Sequence, residues 1–229
     1  MTSLQKWGKS VRTTIPVMAG YLVLGAGFGI LLRTRGYGLG WALAMSAFIY
    51  AGSMQYVAID LLTGGASLLT TAVTTLLVNA RHLFYGISML ERHRAAGKYA
   101  PYLIFSLTDE TYSLVAARED LTGAECFRIS LLDQLYWVLG TALGSLAGAY
   151  LDFNTTGIDF SLTALFLTVF TEQWLETKNH APALIGLGVS IVCRLLFGAD
   201  SFLLPTMGGM LCCLLVLDAR RTKKGGESV

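Results

Sequence analysis

The sequence predicts an all-α, polytopic integral membrane protein. Long stretches carry no charge: twenty residues between Arg12 and Arg33, twenty-four between Arg35 and Asp60, and twenty between Asp60 and Arg81. Each can cross the ~30 Å hydrocarbon layer as a helix rising ~1.5 Å per residue. Only 14% of residues are charged and 54% are hydrophobic, whereas a soluble domain carries about 25% charged residues. Glycine makes up 25 of the 229 residues, against a usual ~7%. In lipid that excess points to close helix packing and broken helices.

The chain reads as a single membrane domain, 1–229, with no room for a soluble enzyme domain. A net charge of +2 gives no sign of nucleic acid, and the expected surroundings are a lipid bilayer. Lys6, Lys9 and Arg12 precede the first apolar segment, and Arg220, Arg221, Lys223 and Lys224 follow the last. The positive-inside rule therefore places both termini in the cytoplasm. The first segment has no small-residue cleavage site before Arg33 and reads as a retained span. Cys126, Cys193, Cys212 and Cys213 show no metal spacing and read as small packing residues.

Seven or eight hydrophobic segments follow one another, at roughly 14–32, 39–62, 66–89, 100–117, 130–151, 160–176, 182–198 and 201–218. The fourth is short and carries Asp109 and Glu110, and the sixth carries Glu172. They form two internal repeats, about 14–118 and 130–221. Tyr21–Gly25 with Gly29 matches Tyr136–Gly140 with Gly144, and Gln55-Tyr56-Val57 matches Gln173-Trp174-Leu175. Arg81-His82-Leu83-Phe84 matches Arg194-Leu195-Leu196-Phe197, and Pro101 to Arg118 matches Pro205 to Arg220. Repeats of this size are a transporter signature. Eight plain crossings would turn Arg92, Arg94 and Lys98 outward. A broken or re-entrant second segment returns them to the cytoplasm, so the repeats are expected to be inverted. Small residues recur every four positions at Gly25/Gly29, Gly36/Gly40 and Gly140/Gly144/Gly148. These ridges serve packing within the chain or a partner subunit.

Polar groups in apolar segments mark the candidate site. Tyr50-Ala51-Gly52-Ser53-Met54-Gln55 places glycine, hydroxyls and an amide in mid-segment. There a broken helix would expose backbone groups that bind carboxylates at half-helix N-termini and cations at C-termini. The alternative is a continuous helix with its polar side chains bonded to neighbours. In Asn79-Ala80-Arg81-His82-Leu83-Phe84-Tyr85, Arg81 binds a substrate carboxylate, pairs with an intramembrane acid, or snorkels to the interface. Asn79 and His82 share one helix side. The intramembrane acids are Asp109, Glu110, Asp133 and Glu172, and a desolvated carboxyl can load and release a proton. They serve proton coupling or form a structural ion pair with Arg81 or Arg194, with Asp109 favoured over Glu110. His93 and His180 read as solvated loop residues. No metal, phosphate-loop or nucleophile-elbow motif occurs, so neither a cofactor nor a metal is expected.

The motifs Tyr50-Ala51-Gly52-Ser53-x-Gln55, Asn79-x-Arg81-His82-x-x-Tyr85-Gly86 and Thr108-Asp109-Glu110, with a first span rooted at Pro16, resemble the AzlC/YgaZ family over nearly the whole chain. That resemblance implies the large subunit of a two-component exporter in the bacterial cell inner membrane. Its companion would be a small AzlD-type membrane protein, and its cargo branched-chain amino acids or methionine. Gly52, Ser53, Gln55, Asn79, Arg81, His82, Asp109 and Glu110 are the motif positions. Chemistry then suggests roles. Arg81 or the N–H groups at the break near Gly52 would hold the substrate carboxylate. Gln55, Asn79 or exposed carbonyls would accept from the ammonium. Phe48, Met54 and Tyr56 would form the aliphatic pocket. Proton antiport through Asp109 and Glu110 is a further expectation. Uptake of another small solute, a membrane scaffold and an intramembrane enzyme are the competing readings, and a non-enzyme is expected.

Overall fold

The computed structural model describes residues 2–116, 118, 120–150, 160, 163, 164, 167, 170, 171, 174, 175, 180–198, 202, 205, 206, 208–210 and 212–217. Every regular element among them is helical. The chain divides into two compact units, Met1–Thr163 and Ala164–Val229.

The first unit is organised around two long helices. Helix α1 spans Ser3–Thr34 and opens with a capping box in which Thr2 accepts from the N–H of Gln5. It is ~48 Å long. Among the described residues it is the helix long and apolar enough to cross a membrane unaided. Lys6, Lys9 and Arg12, expected ahead of the first span, lie on this same helix. The second long helix, Gly123–Tyr150, is called α9 after the seven that intervene. Its start is fixed by Thr122, whose N–H donates to the Glu125 carboxylate at 3.0 Å. Buried positions Tyr21, Gly25, Phe28, Gly29 and Leu32 follow helical spacing down one face of α1 and meet α9.

Glycine is what lets these two helices touch. A methyl group at Gly144 would fall 2.0 Å from the carbonyl oxygen of Ala26, and one at Gly29 would fall 2.2 Å from that of Thr141. Gly25 and Gly140 are equally tight against the opposite backbone. The two outer ridges are therefore used within the chain. A Cβ added at Gly36 or Gly40 would meet nothing within 4 Å, so this pair packs against no other described helix of the chain. Gly36 instead takes φ +92 just past the end of α1, a left-handed position that suits glycine.

Between the long helices, every apolar segment is broken. Segment two becomes α2, Leu39–Phe48, and α3, Gly52–Thr63. Segment three becomes α4, Leu68–Val78, and α5, Ala80–Ser88, joined at Asn79. A short charged helix α6, Leu90–Ala95, and a 3₁₀ turn at Gly97–Tyr99 follow. Segment four becomes α7, Ala100–Phe105, and α8, Asp109–Ala116. Ten or twelve residues give only ~15–18 Å, about half of the hydrocarbon thickness. The break in segment two was legible in Gly52, whereas those in segments three and four were not expected. In the second unit, Ala181–Phe197 forms α10, matching the expected segment at 182–198. Glu172 and the basic tail from Arg220 lie outside the described residues.

The polarity of the first unit is inverted relative to a water-soluble fold. Val23 is 72% exposed and Phe84 65%, while Ser46, Gln55, Asp133 and Thr141 are fully buried. Apolar side chains facing out and polar groups bonded to one another inside suit a hydrocarbon solvent. One apolar cluster gathers Tyr21, Phe28, Leu32, Met45, Tyr56, Ile59 and Trp137. A second gathers Met89, Leu103, Leu107, Val115, Cys126 and Ile129. Arg92 ties α6 to α8 by donating to the carbonyls of Val115 and Arg118. Its neighbour His93 is buried, at 5% exposed, and so is not the solvated loop residue expected. His180 also departs from expectation: it is half-buried and stacks on Trp174 with ring centroids 4.0 Å apart.

Candidate functional site: a guanidinium joining three broken helices

Three of the breaks meet at one side chain. Arg81, second residue of α5, forms an ion pair with Asp109, first residue of α8, at 2.9 Å. It also donates to the hydroxyl of Ser53, second residue of α3, at 2.9 Å. All three residues sit in the first turn after a break, where unbonded N–H groups carry the positive end of the helix dipole. No side chain caps the start of α3 or α5. The pair is about 30% exposed (side chains 31% and 27%), so neither partner is sealed away.

The chain is shaped locally to allow this. Tyr50 takes φ +44, a left-handed conformation costly for a residue with a Cβ. It is held there by burial of its ring, which is 3% exposed. Gly52 lies against the indole of Trp137, 3.1 Å from where a Cβ would stand, so a methyl there requires the indole to give way by a few tenths of an ångström. Asn79 supplies the bend before Arg81 at φ −92, ψ 3. The Thr108 hydroxyl caps α8 by accepting from the N–H of Thr111 at 3.3 Å.

Beside the ion pair runs a hydrogen-bonded line of side chains. Tyr21 donates to Glu110 at 2.6 Å and lies 2.7 Å from Thr108. Thr108 donates to Thr111 at 3.2 Å, and Thr111 donates to Asp133 at 3.1 Å. Glu110 and Asp133 are thereby linked through three hydroxyls. Asp133 is fully buried on α9.

Several polar atoms here are buried and carry no hydrogen bond among the described residues: Tyr50 Oη, Asn79 Oδ1, Arg81 Nε, Asp109 Oδ1 and Asp133 Oδ1. Five of the eight such atoms thus belong to residues singled out from the sequence. Their chemistry is mixed. Arg81 Nε is a donor, Asn79 Oδ1 and Asp109 Oδ1 are acceptors, and a buried group of either kind is costly without a partner.

Other expected site residues are placed differently. The Gln55 amide is committed to the fold: it donates to Ser46 at 3.1 Å and accepts from the Trp137 indole at 2.8 Å. Ser46 in turn donates to Thr141 at 2.9 Å. Gln55 therefore crosslinks α2, α3 and α9 and has no carbonyl left for an ammonium. The expected aliphatic pocket of Phe48, Met54 and Tyr56 does not form. Phe48 is 80% exposed, Met54 is buried, and Tyr56 donates its hydroxyl to the Leu24 carbonyl at 2.7 Å. His82 is half-buried on α5, within electrostatic reach of Arg81 and Asp109. Arg194 lies in the second unit, exposed on α10, its guanidinium 5.4 Å from the Phe202 ring centre. Tyr21, Thr108 and Thr111 were not anticipated as members. Hydroxyls standing in apolar segments were the signal, but Tyr21 meets Thr108 across 87 positions, which local spacing cannot foresee.

Comparison with known proteins places this arrangement. The family model described as AzlC protein matches residues 16–151, which include all of α2 to α9 and every residue of the network. The branched-chain amino acid transport protein AzlC of Bacillus subtilis (strain 168) is 46% identical over 209 residues, covering 89% of this chain and 82% of the relative. A membrane protein of Helicobacter pylori (strain ATCC 700392 / 26695) is 43% identical, covering 89% and 91%. The inner membrane protein YgaZ of Escherichia coli (strain K12) is 26% identical, covering 90% and 87%. No solved structure matches the chain. A family model matching more than half of the chain and a near full-length relative at 46% identity agree: the chain belongs to the AzlC family.

Proposed function

We propose that this chain is the large subunit of a secondary transporter that exports branched-chain amino acids across the bacterial inner membrane. Family membership and the name of the Bacillus subtilis relative support amino-acid transport rather than an enzymatic role. On this reading the chain crosses the membrane several times and keeps both termini in the cytoplasm. Its halves, 14–118 and 130–221, are inverted repeats, and a small AzlD-type subunit works with it. The observation that carries the reading is the ion pair of Arg81 with Asp109 at three half-helix N-termini.

A zwitterion needs donors for its carboxylate and acceptors for its ammonium. Arg81 Nε and the uncapped N–H groups of α3 supply the donors, while Asp109 Oδ1 and Asn79 Oδ1 supply the acceptors. Substrate thus joins the ion pair as a third member instead of breaking it. A proton reaching Asp109 removes an acceptor for the ammonium, so proton and substrate exclude each other, which is the condition for antiport. The Glu110–Tyr21–Thr108–Thr111–Asp133 line is the route by which protons reach or leave the site.

The test is valine efflux from loaded vesicles holding the chain, with and without the small subunit, in the presence and absence of an inward pH gradient. Acceleration by the gradient is expected for the wild type. Equal rates would end the antiport reading, and net uptake under every gradient would reverse the direction. Arg81→Gln in correctly inserted protein is expected to cut valine efflux at least about tenfold, from the loss of a charge-assisted contact. Unchanged efflux would remove Arg81 from the substrate site.

A further inference from the structure

The first unit holds a cavity of about 270 Å³ that His82 lines and that neither Arg81 nor Asp109 lines. One wall is the stripe His82, Gly86 and Leu90, spaced four apart along α5 into α6; the other is Ala100 and Ile104 on α7, then Leu107 in the break before α8. His82 follows Arg81 in sequence, and Leu107 precedes Asp109 by two positions. His82, on the cavity wall, lies within electrostatic reach of both Arg81 and Asp109, which sets the cavity near the ion pair. The cavity is smaller than the roughly 300–1,000 Å³ of sites for drug-sized ligands, which suits a single short aliphatic group.

Gly86 is the telling residue. A Cβ built there meets nothing within 4 Å, so packing of the backbone does not require glycine at this position. Glycine in a helix interior costs about 1 kcal/mol relative to alanine. At Gly29 and Gly144 that cost is offset by helix contact, whereas at Gly86 the missing side chain leaves open volume. His93 and Arg94 close the end of the cavity remote from the ion pair. Burial and the adjacent Arg92 guanidinium hold the His93 imidazole below its ordinary pKa, so it presents a neutral ring.

We propose that this cavity receives the aliphatic side chain of the amino acid whose charged groups the Arg81–Asp109 pair holds, and that Gly86 sets the size it accepts. The assignment rests on the transport reading above and replaces the pocket expected at Phe48, Met54 and Tyr56. Filling an apolar cavity discriminates by size, at about fourfold per methylene and 10- to 200-fold where a substituent is excluded outright.

The experiment measures efflux of labelled alanine, leucine and phenylalanine from vesicles holding the full chain and the small subunit. The variants are Gly86→Ala, Gly86→Leu and Ile104→Ala. Relative to alanine, leucine efflux is expected to fall about fourfold in Gly86→Ala and at least about tenfold in Gly86→Leu. Ile104→Ala enlarges the cavity and is expected to raise phenylalanine efflux relative to leucine. If Gly86→Leu fails to insert, Gly86→Ala and Ile104→Ala decide between them. Leucine-to-alanine and phenylalanine-to-leucine ratios unchanged from wild type, in variants that still move alanine, overturn the cavity assignment alone. Wild-type vesicles that release none of these amino acids overturn the transport reading and the assignment with it.

Discussion

Two glycines on α1 respond to the same substitution with opposite sign. At Gly20 an added Cβ meets nothing within 4 Å. Alanine there gains up to about 1 kcal/mol of helix stability. At Gly29 the same methyl falls 2.2 Å from the Thr141 carbonyl oxygen and 2.6 Å from the Ser145 nitrogen. Ordinary contact begins near 3.4 Å, so the shortfall is 1.2 Å at the first atom and 0.8 Å at the second. Both obstructing atoms are backbone, and no rotamer change relieves them. The helices must separate, which also loosens the close approaches at Gly25, Gly140 and Gly144. Overpacking of this kind costs about 1–3 kcal/mol. Gly29→Ala and Gly20→Ala therefore lie about 2–4 kcal/mol apart, or roughly 4–16 °C in midpoint for a chain of this length. The assay heats purified protein in detergent and measures the monodisperse fraction by size exclusion. A Gly29→Ala midpoint equal to or above that of Gly20→Ala would refute the seam. Gly148→Ala, whose methyl would stand 3.3 Å from both the Arg33 Cβ and the Ile30 Cα, is expected between them.

Gln55→Leu is expected to lower stability by about 1–3 kcal/mol, because it strands the Trp137 indole N–H in the core and removes a donor to Ser46. Thermal melting reads this directly, and a normal midpoint with altered substrate affinity would return Gln55 to the site. Burial first, and the Arg92 guanidinium second, depress the His93 pKa in the folded state from its ordinary 6.5. The unfolded chain then binds the proton more readily, so this stabilisation is present above about pH 6.5 and is lost as pH falls below it. Melting across pH 5–8 should show that slope in the wild type and a flatter profile in His93→Asn. Asp109→Asn is expected to weaken valine binding roughly 10- to 100-fold, through loss of a charge-assisted acceptor. Titration of purified protein with labelled valine checks it.

What the sequence revealed and what it concealed divide along one physical line. Anything set by the cost of a group in its own segment was visible. Charge-free lengths announced lipid, Gly52 within a polar run announced the break before α3, and Arg81 in an apolar segment required an acid. Anything set by contact between distant segments was not. The amide of Gln55 reads as a free recognition group until Trp137, 82 positions away, is seen to take it. Gly36/Gly40 has the same four-residue spacing as Gly25/Gly29, yet only the latter meets a partner backbone. The breaks in segments three and four fall at Asn79 and at Ser106–Thr108, where no glycine or proline marks the place. At the second of these the Thr108 hydroxyl offers the backbone a local alternative by accepting from the N–H of Thr111. The charged run around His93 suggested solvent, but Arg92 reaches across to the end of α8 and draws that histidine into the fold.

The direction of coupling in the proposed mechanism follows from which atoms of the ion pair are already used. Arg81 places one terminal nitrogen on Asp109 Oδ2 and the other on Ser53, and its Nε–H has no hydrogen-bond partner among the described residues. Asp109 spends Oδ2 and leaves Oδ1. Had the pair consumed every atom, substrate carboxylate could enter only by expelling Asp109. An expelled carboxylate in a low-dielectric site takes up a proton, so substrate and proton would bind together and travel the same way. With Nε and Oδ1 both free, the zwitterion adds to an intact pair, and the ammonium depends on the Asp109 negative charge. Protonation then opposes substrate binding, and by reciprocity substrate opposes protonation to the same degree. Mutual exclusion lets an inward proton gradient drive an amino acid outward. Valine efflux slowed rather than speeded by an inward pH gradient would show that substrate and proton travel together, and antiport through Asp109 would fall with that result.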